Sequence, residues 1–143
     1  MSVSIDMPRD LIQRRRCRGF VAICAVGFQA DPLVFRLATA ENIEGHLATL
    51  QPGTWHHLFF RRVLWTAGSA VARTITIAAE KWMSANGWSL GNHWFRAELD
   101  VLDDLLRAEA MTLRAGLIGH ADLVRLLRQQ ADNEADRFAQ GIV

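Results

Sequence analysis

The chain has 143 residues, of which half are hydrophobic and 22% are charged, a composition that excludes a mainly disordered protein. Its formal net charge of +1 excludes attraction to nucleic acid or membrane by an overall field, so any such binding has to come from a local patch. The longest apolar run, residues 20–28, is about half of the ~20 residues that a membrane-spanning helix needs.

Residues 1–18 form a basic leader. Pro8 and Asp10 favour a short helix within it. The leader has no apolar stretch of the length that a secretory signal needs. We therefore expect a cytoplasmic protein in which Cys17 and Cys24 are reduced. Four arginines fall within five positions at its end: Arg14, Arg15, Arg16 and Arg18.

The first half of the chain predicts a hairpin, a helix and a third strand. Residues 20–26 are rich in β-branched and aromatic side chains and predict a buried strand, and the turn residues after it predict a hairpin to a strand over 33–37. A helix is expected over 41–50, with Thr39 as its N-cap and a stop at Pro52-Gly53. Residues 56–65 predict the third strand.

The second half predicts mainly helices. Ser69 is expected to cap a helix over 69–85, and Asn86-Gly87 fits its end. Residues 93–96 predict a short extended piece, and further helices are expected over 99–112 and 122–139. The core stripe of the 69–85 helix is expected from its three-to-four spacing: Val71, Ile75, Ala78, Ala79 and Trp82.

Together these elements predict a small α+β fold, with a mainly antiparallel three-stranded sheet flanked by helices. The predicted organisation is a basic leader over 1–18, an α+β domain over 19–106, and a C-terminal helical extension over 107–143 that packs on the domain or on a partner.

Five segments resemble, in order and spacing, the motifs of the GIY-YIG nuclease superfamily, most closely its short single-domain phage and bacterial branch. The segments are GFVAI at 19–23, RLAT at 36–39, EGHLATLQ at 44–51, AEKWMS at 79–84 and GNHWF at 91–95. The resemblance covers residues 19–106 and implies a mobile-element or phage origin and an ancestral phosphodiesterase activity.

The resemblance also implies that the catalytic groups are degenerate. The family's first tyrosine, which is proposed to activate or orient water, is replaced by Ala22, and its motif glycine by Ala38. The second motif's tyrosine or lysine falls near 34–36, where no phenol is present, and the family's phosphate-binding arginine is replaced by Glu44. Only Glu80 stands where the family has its metal-ligating glutamate. We therefore expect no catalysis by the family's usual route.

Two residues are candidates for residual chemistry. Glu80 is the candidate metal ligand, although a charge on a helix face is more often solvated. His46 is the candidate substitute base, because neutral imidazole suits proton transfer near pH 7. His56, His57 and His93 are weaker alternatives. No cofactor is expected, and Mg²⁺ only if nuclease activity is retained.

Basic residues are the candidate nucleic-acid contacts, because phosphate contacts supply most non-specific affinity. A solvated leader or a site for an acidic partner fits the leader arginines equally well. Arg73 would extend the same strip if it shares a face with the others. The candidates are Arg14, Arg15, Arg16, Arg18, Arg36, Arg61 and Arg62.

The C-terminal helix carries an apolar stripe that could pack on its own domain, on a second copy of the chain or on a partner helix. Its members are Val124, Leu127, Ala131, Ala135 and Phe138.

The functional prediction is a degenerate GIY-YIG-like domain that serves as a nucleic-acid-binding module or a protein-interaction and regulatory module. A first alternative is a metal-dependent DNA endonuclease with a rewired site that uses Glu80 and a histidine. A second is a small inhibitory or structural protein of a mobile element, acting through its C-terminal helix.

Overall fold

The computed structural model describes residues 20–54 and 56–139, without the side chain of Phe138. The leader, with its four arginines and the helix expected near Pro8, lies outside these residues. The elements in chain order are β1 (Val21–Phe28), β2 (Asp31–Ala40), α1 (Ile43–Leu50), a 3₁₀ turn (Gln51–Gly53), β3 (Leu58–Thr66), α2 (Ser69–Ala85), β4 (Ser89–Gly91), β5 (Trp94–Arg96), α3 (Leu99–Thr112), β6 (Ile118–Gly119) and α4 (His120–Ala139).

The strands form one antiparallel six-stranded sheet in the order β4-β5-β2-β1-β3-β6. The α+β class is thus as expected, but the prediction of a small three-stranded sheet is wrong. The three predicted strands form its centre, and the extended piece at 93–96 joins it as β5. Strands β4 and β6 have three and two residues, too few to produce a period-two pattern in the sequence.

Both faces of the sheet are buried, which explains why β1 is apolar throughout. Its side chains alternate between the two faces: Ile23 and Ala25 belong to a core cluster covered by α2 and α3, whereas Ala22 and Cys24 belong to a second cluster covered by α1 and α4. The molecule therefore has three layers, with helices on both sides of the sheet.

Helix α1 begins later than predicted. Thr39 is still part of β2, opposite Ile23, so it cannot cap the helix. The cap is Asn42, whose side-chain oxygen accepts a hydrogen bond from the Gly45 N–H at 3.1 Å. Strand β2 spans Asp31–Ala40, so it is longer at both ends than the predicted strand over 33–37.

The predicted bounds of α2 and α3 are confirmed, but two details of α2 are wrong. Ser69 is the first helical residue rather than the cap, and Trp82 is 43% exposed rather than buried. The buried stripe is instead Ala72, Ile75, Thr76, Ala79 and Met83. The predicted end is confirmed at Gly87, whose φ of 79° suits glycine after a helix.

The first half of α4 packs on the sheet. Leu123 and Leu127 are buried in the second cluster, and Val124 packs partly against it. Of the other predicted stripe residues, Ala131 is half-buried and Ala135 is exposed, while the side chain of Phe138 lies outside the described part of the chain. No helix among the described residues combines the length and apolar character that crossing a membrane requires.

Candidate functional site

A pocket opens where β5 stops and β2 continues. Strand β5 pairs with β2 only over residues 34–36, and one further bond follows, from the Leu37 N–H to the His93 carbonyl at 3.3 Å. Beyond it the outer edge of β2 is free of β5, so α1 and α2 approach that edge from opposite faces of the sheet. We call the resulting cavity of about 310 Å³ the edge pocket. Its lining residues are Arg36, Leu37, Ala38, Thr39, His46, Arg73, Thr76, Ile77, Glu80 and His93.

Glu80 and His93 form an ion-pair-like contact in this pocket. The Nδ1 atom of His93 lies 3.0 Å from Oε1 and 3.1 Å from Oε2 of Glu80. In the neutral tautomer that fits this geometry, Nδ1–H donates to the carboxylate and Nε2 carries the lone pair. The carboxylate thus orients the imidazole, the arrangement that sets a histidine for proton transfer.

The position of His93 depends on an unusual turn between β4 and β5. Asn92 and His93 have φ angles of 53° and 68°, so both residues of the two-residue loop are left-handed. This is the geometry of a type I′ hairpin, in which glycine is the usual second residue. A histidine there adopts a backbone conformation that non-glycine residues seldom take, and the same conformation brings its ring to Glu80.

His46 enters the pocket from α1. Its ring is half-buried, and Nε2 has no hydrogen-bond partner among the described residues. Burial lowers the pKa of His46, and the positive charge of Arg36 lowers it further. The ring is therefore neutral at pH 7 and can still accept or donate one bond through Nε2.

Two more polar atoms of the pocket lack partners within the described structure. They are Nε of Arg36 and Oγ1 of Thr76, the latter in a residue that is only 8% exposed. A buried polar group left unsatisfied costs about 1–3 kcal/mol, so these two atoms and His46 Nε2 each have a hydrogen bond to gain from a bound group. Two arginines against one carboxylate make the pocket net positive, which favours an anion.

The pocket does not fit a resident Mg²⁺ ion. Within residues 20–54 and 56–139 no three side chains of histidine, cysteine, aspartate or glutamate are grouped closely enough to hold a metal. Mg²⁺ prefers several oxygen ligands, whereas Glu80 offers the one carboxylate that lines the pocket and it is already bonded to His93. Among the residues that line the pocket, no second carboxylate is therefore present to bind a metal together with Glu80.

Of the predicted basic strip, the structure brings Arg36 and Arg73 together but not Arg61 and Arg62. Arg61 is buried, donates to the Phe28 carbonyl and lies over the Phe59 ring. A bulge in the pairing of β1 with β3 turns Arg61 inward. Arg62 lies on the α3 side of the sheet, where its guanidinium contacts two aspartates, Asp100 at 3.1 Å and Asp103 at 4.0 Å.

The histidine pair before β3 lies elsewhere. His56 and His57 precede β3, which begins at Leu58, so the third strand starts two residues later than predicted. The ring of His56 stacks on Phe28 with a centroid distance of 4.4 Å and an interplanar angle of 13°. Both histidines line a separate surface depression with Phe28 and are not part of the edge pocket.

No family model matches this chain, and neither the curated proteins nor the solved structures include a detectable relative. The site therefore has to be interpreted from its own geometry. Sequence reasoning identified His46, Glu80, Arg36 and Arg73 but missed Thr76. A signal was present, because Arg73, Thr76 and Glu80 recur at the three-to-four spacing of one helix face.

Proposed function

We propose that this chain is a nucleic-acid-binding module that retains a GIY-YIG-like order of strands and helices without the family's tyrosines, and that its edge pocket binds a backbone phosphate. One observation carries the proposal. Three residues that line the same pocket, Arg36, His46 and Thr76, each carry a buried polar atom that has no hydrogen-bond partner among the described residues, and a second arginine, Arg73, lines the pocket beside them.

Phosphate oxygens match this set of groups. The guanidinium fork of Arg36 suits a phosphate, while the Thr76 hydroxyl and a His46 N–H can each donate one more bond. The carboxylate of Glu80, which contacts His93 at 3.0 Å, is the one negative charge among the lining side chains, and the two arginines outweigh it. Because the chain's net charge is only +1, the affinity has to come from this local arrangement and from the leader arginines.

The test is the binding of a fluorescent single-stranded oligonucleotide as a function of salt. Replacing Arg36 or Arg73 by methionine should weaken binding about tenfold, the value of a hydrogen bond to a charged group. Each replacement should also reduce the slope of log affinity against log salt by about 0.7, the effect of one phosphate contact on a single strand. The control is Arg125→Met, which removes an exposed arginine of α4 that pairs with Asp122 outside the pocket.

The pH dependence of the same binding tests His46. In the free protein the pKa of His46 lies below its ordinary 6.5, and a bound phosphate would raise it. Binding then takes up a proton between the two pKa values, so affinity should rise as the pH falls through the pKa of His46 in the bound state. His46→Gln should flatten this rise. Equal affinities and salt slopes for the wild-type, Arg36 and Arg73 proteins would refute the phosphate site, and no binding at low salt would favour a protein partner instead.

Hydrolysis is the second candidate, and the contact of Glu80 with His93 favours it. A carboxylate-oriented imidazole beside a phosphate pocket could act as a general base toward water. Incubation with supercoiled plasmid in Mg²⁺, in Mn²⁺ and in chelator distinguishes this candidate from binding alone. Cleavage that is lost in Glu80→Ala and in His93→Gly would establish a nuclease. The glycine variant removes the imidazole while it suits the left-handed turn.

A further inference from the structure

A second cavity adjoins the edge pocket and shares Arg36 with it. This cavity, the aromatic pocket, also measures about 310 Å³, which is near the lower end of small-molecule sites. It lies on the α1 side of the sheet, because its lining side chains Val26, Leu58 and Trp94 all belong to or pack on the second core cluster. Its lining residues are Val26, Phe28, Arg36, Leu50, Gly53, Thr54, Leu58 and Trp94.

The two pockets differ in the side chains that they offer. The edge pocket contains the charged side chains of Arg36, Arg73 and Glu80 beside apolar residues such as Ile77. The aromatic pocket contains two aromatic rings, Phe28 and Trp94, whose centroids are 5.9 Å apart. Arg36 lines both pockets and pairs with Trp94 in the sheet. Its Nε atom is buried without a partner in the described structure.

We propose that the two pockets together bind one nucleotide unit of a single strand, with the phosphate in the edge pocket and the base in the aromatic pocket. This inference rests on the proposed function and adds that the ligand is a single-stranded nucleotide unit whose base is also bound. A cavity with two aromatic rings next to a phosphate site suits a flat base, which gains about 1–3 kcal/mol from stacking on aromatic side chains. Arg36 serves both parts, since a guanidinium can bond to a phosphate and also stack on or bond to a base.

A strand preference follows from this geometry. A base that enters the aromatic pocket has left its own stack, and in a duplex that requires unpairing, which costs a few kcal/mol. The ligand should therefore be a single strand or a frayed end rather than an intact duplex. A free nucleoside monophosphate shares the same chemistry and should bind more weakly, because it lacks the neighbouring phosphates.

The experiment compares four probes on the full chain: a short oligothymidylate, an abasic strand with the same number of phosphates, a duplex of equal length and thymidine monophosphate. The oligothymidylate should bind about tenfold more tightly than the abasic strand, as expected for one stacked base. It should also bind more tightly than the duplex and the mononucleotide. This comparison uses the wild-type protein, so it does not depend on whether a variant folds.

A variant localises the effect. Trp94→Leu should remove most of the preference for the base-bearing strand over the abasic strand, about a tenfold difference in the wild type. The matched control is Trp82→Leu, since Trp82 is an exposed tryptophan that lines neither pocket. It should leave both affinities unchanged.

The outcomes separate this inference from the proposed function. Equal binding of the base-bearing and abasic strands, with the salt dependence on Arg36 intact, overturns the base site and leaves the phosphate site standing. Tightest binding of the duplex overturns the single-strand form in the same way. Failure of every probe to bind at low salt overturns both proposals.

Discussion

A buried hydrogen bond between Trp65 and His120 ties α4 to the sheet and predicts a pH-dependent stability. The indole N–H of Trp65 donates to Nδ1 of His120 at 3.1 Å, and both residues are buried. His120 is the first residue of α4, directly after β6 pairs with β3. Because Nδ1 is the acceptor, the imidazole has to be neutral, and protonation would place one N–H against another.

The sign of the effect follows from the direction of the pKa shift. Burial lowers the pKa of His120 in the folded protein, whereas in the unfolded chain it titrates near its ordinary value of about 6.5. The unfolded chain therefore binds more protons just below that value, and the free energy of unfolding rises with pH there. The stability is complete above about pH 6.5 and is lost as the pH falls toward the folded-state pKa, by at most about 1.4 kcal/mol per pH unit for this one group.

Two substitutions separate the hydrogen bond from the titration. His120→Phe removes the acceptor and leaves the Trp65 N–H buried and unsatisfied, which should cost about 2 kcal/mol at neutral pH and lower Tm by roughly 6 °C. His120→Gln retains an oxygen acceptor and cannot titrate, so it should keep more of the stability and flatten its pH dependence.

Urea denaturation between about pH 7.5 and about pH 5.5 measures both effects. His46 also has a lowered pKa, so His46→Gln is the control for its share of the slope. A phenylalanine variant as stable as the wild type, or a glutamine variant with an unchanged pH slope, would refute this account of the α4 contact.

Three further predictions concern the core. Leu127 is 3% exposed, so Leu127→Ala should lower the free energy of unfolding in urea by about 2–5 kcal/mol. The control is Leu126→Ala on the same helix, which should cost less than about 0.5 kcal/mol because Leu126 is 45% exposed. Equal losses would show that this face of α4 is not packed on the sheet. Gly27→Ala should destabilise by about 1–3 kcal/mol, because an added Cβ would lie 2.9 Å from a backbone oxygen of β2, whereas Gly116→Ala meets no neighbouring atom and should be tolerated. Burial raises the pKa of the Cys24 thiol to about 12, so peptide mapping should find it unmodified by iodoacetamide in the folded chain and modified in urea, and rapid native labelling would contradict its burial.

Hydrophobic pattern predicted the elements whose signal is local. The helices over 69–85 and 99–112 were predicted at their observed bounds. For the first, the three-to-four spacing of apolar residues and the terminator Asn86-Gly87 are local signals, although the predicted cap Ser69 is wrong. The strands that the sequence did not predict, β4 and β6, are those whose pairing depends on tertiary contacts. Residues 118–119 form β6 only because β3 has a free edge with which they can pair. Two residues are too few to carry a sequence pattern that predicts a strand.

The same division applies to the candidate site. Sequence reasoning selected Glu80 and His46, and the structure places both in one pocket. It could not assign His93 to Glu80, because the contact depends on a left-handed Asn-His turn that does not carry the usual glycine. Nor could it remove Arg61 from the basic strip, because the bulge that buries Arg61 arises from strand pairing rather than from the local sequence.

The edge pocket ultimately results from unequal strand lengths. Strand β2 has ten residues and β5 has three, so a stretch of β2 extends past its outer neighbour. Side chains alternate along that stretch, and Ala38 shares a face with Arg36 while Thr39 lies on the other. Helices on both faces of the sheet therefore contribute residues to the pocket at this uncovered edge: α1 contributes His46 and α2 contributes Glu80. A longer β5 would cover this edge. Because a strand edge exposes unpaired N–H and C=O groups, the open edge supports the proposed ligand site, together with the lining residues whose buried polar atoms have no partner among the described residues.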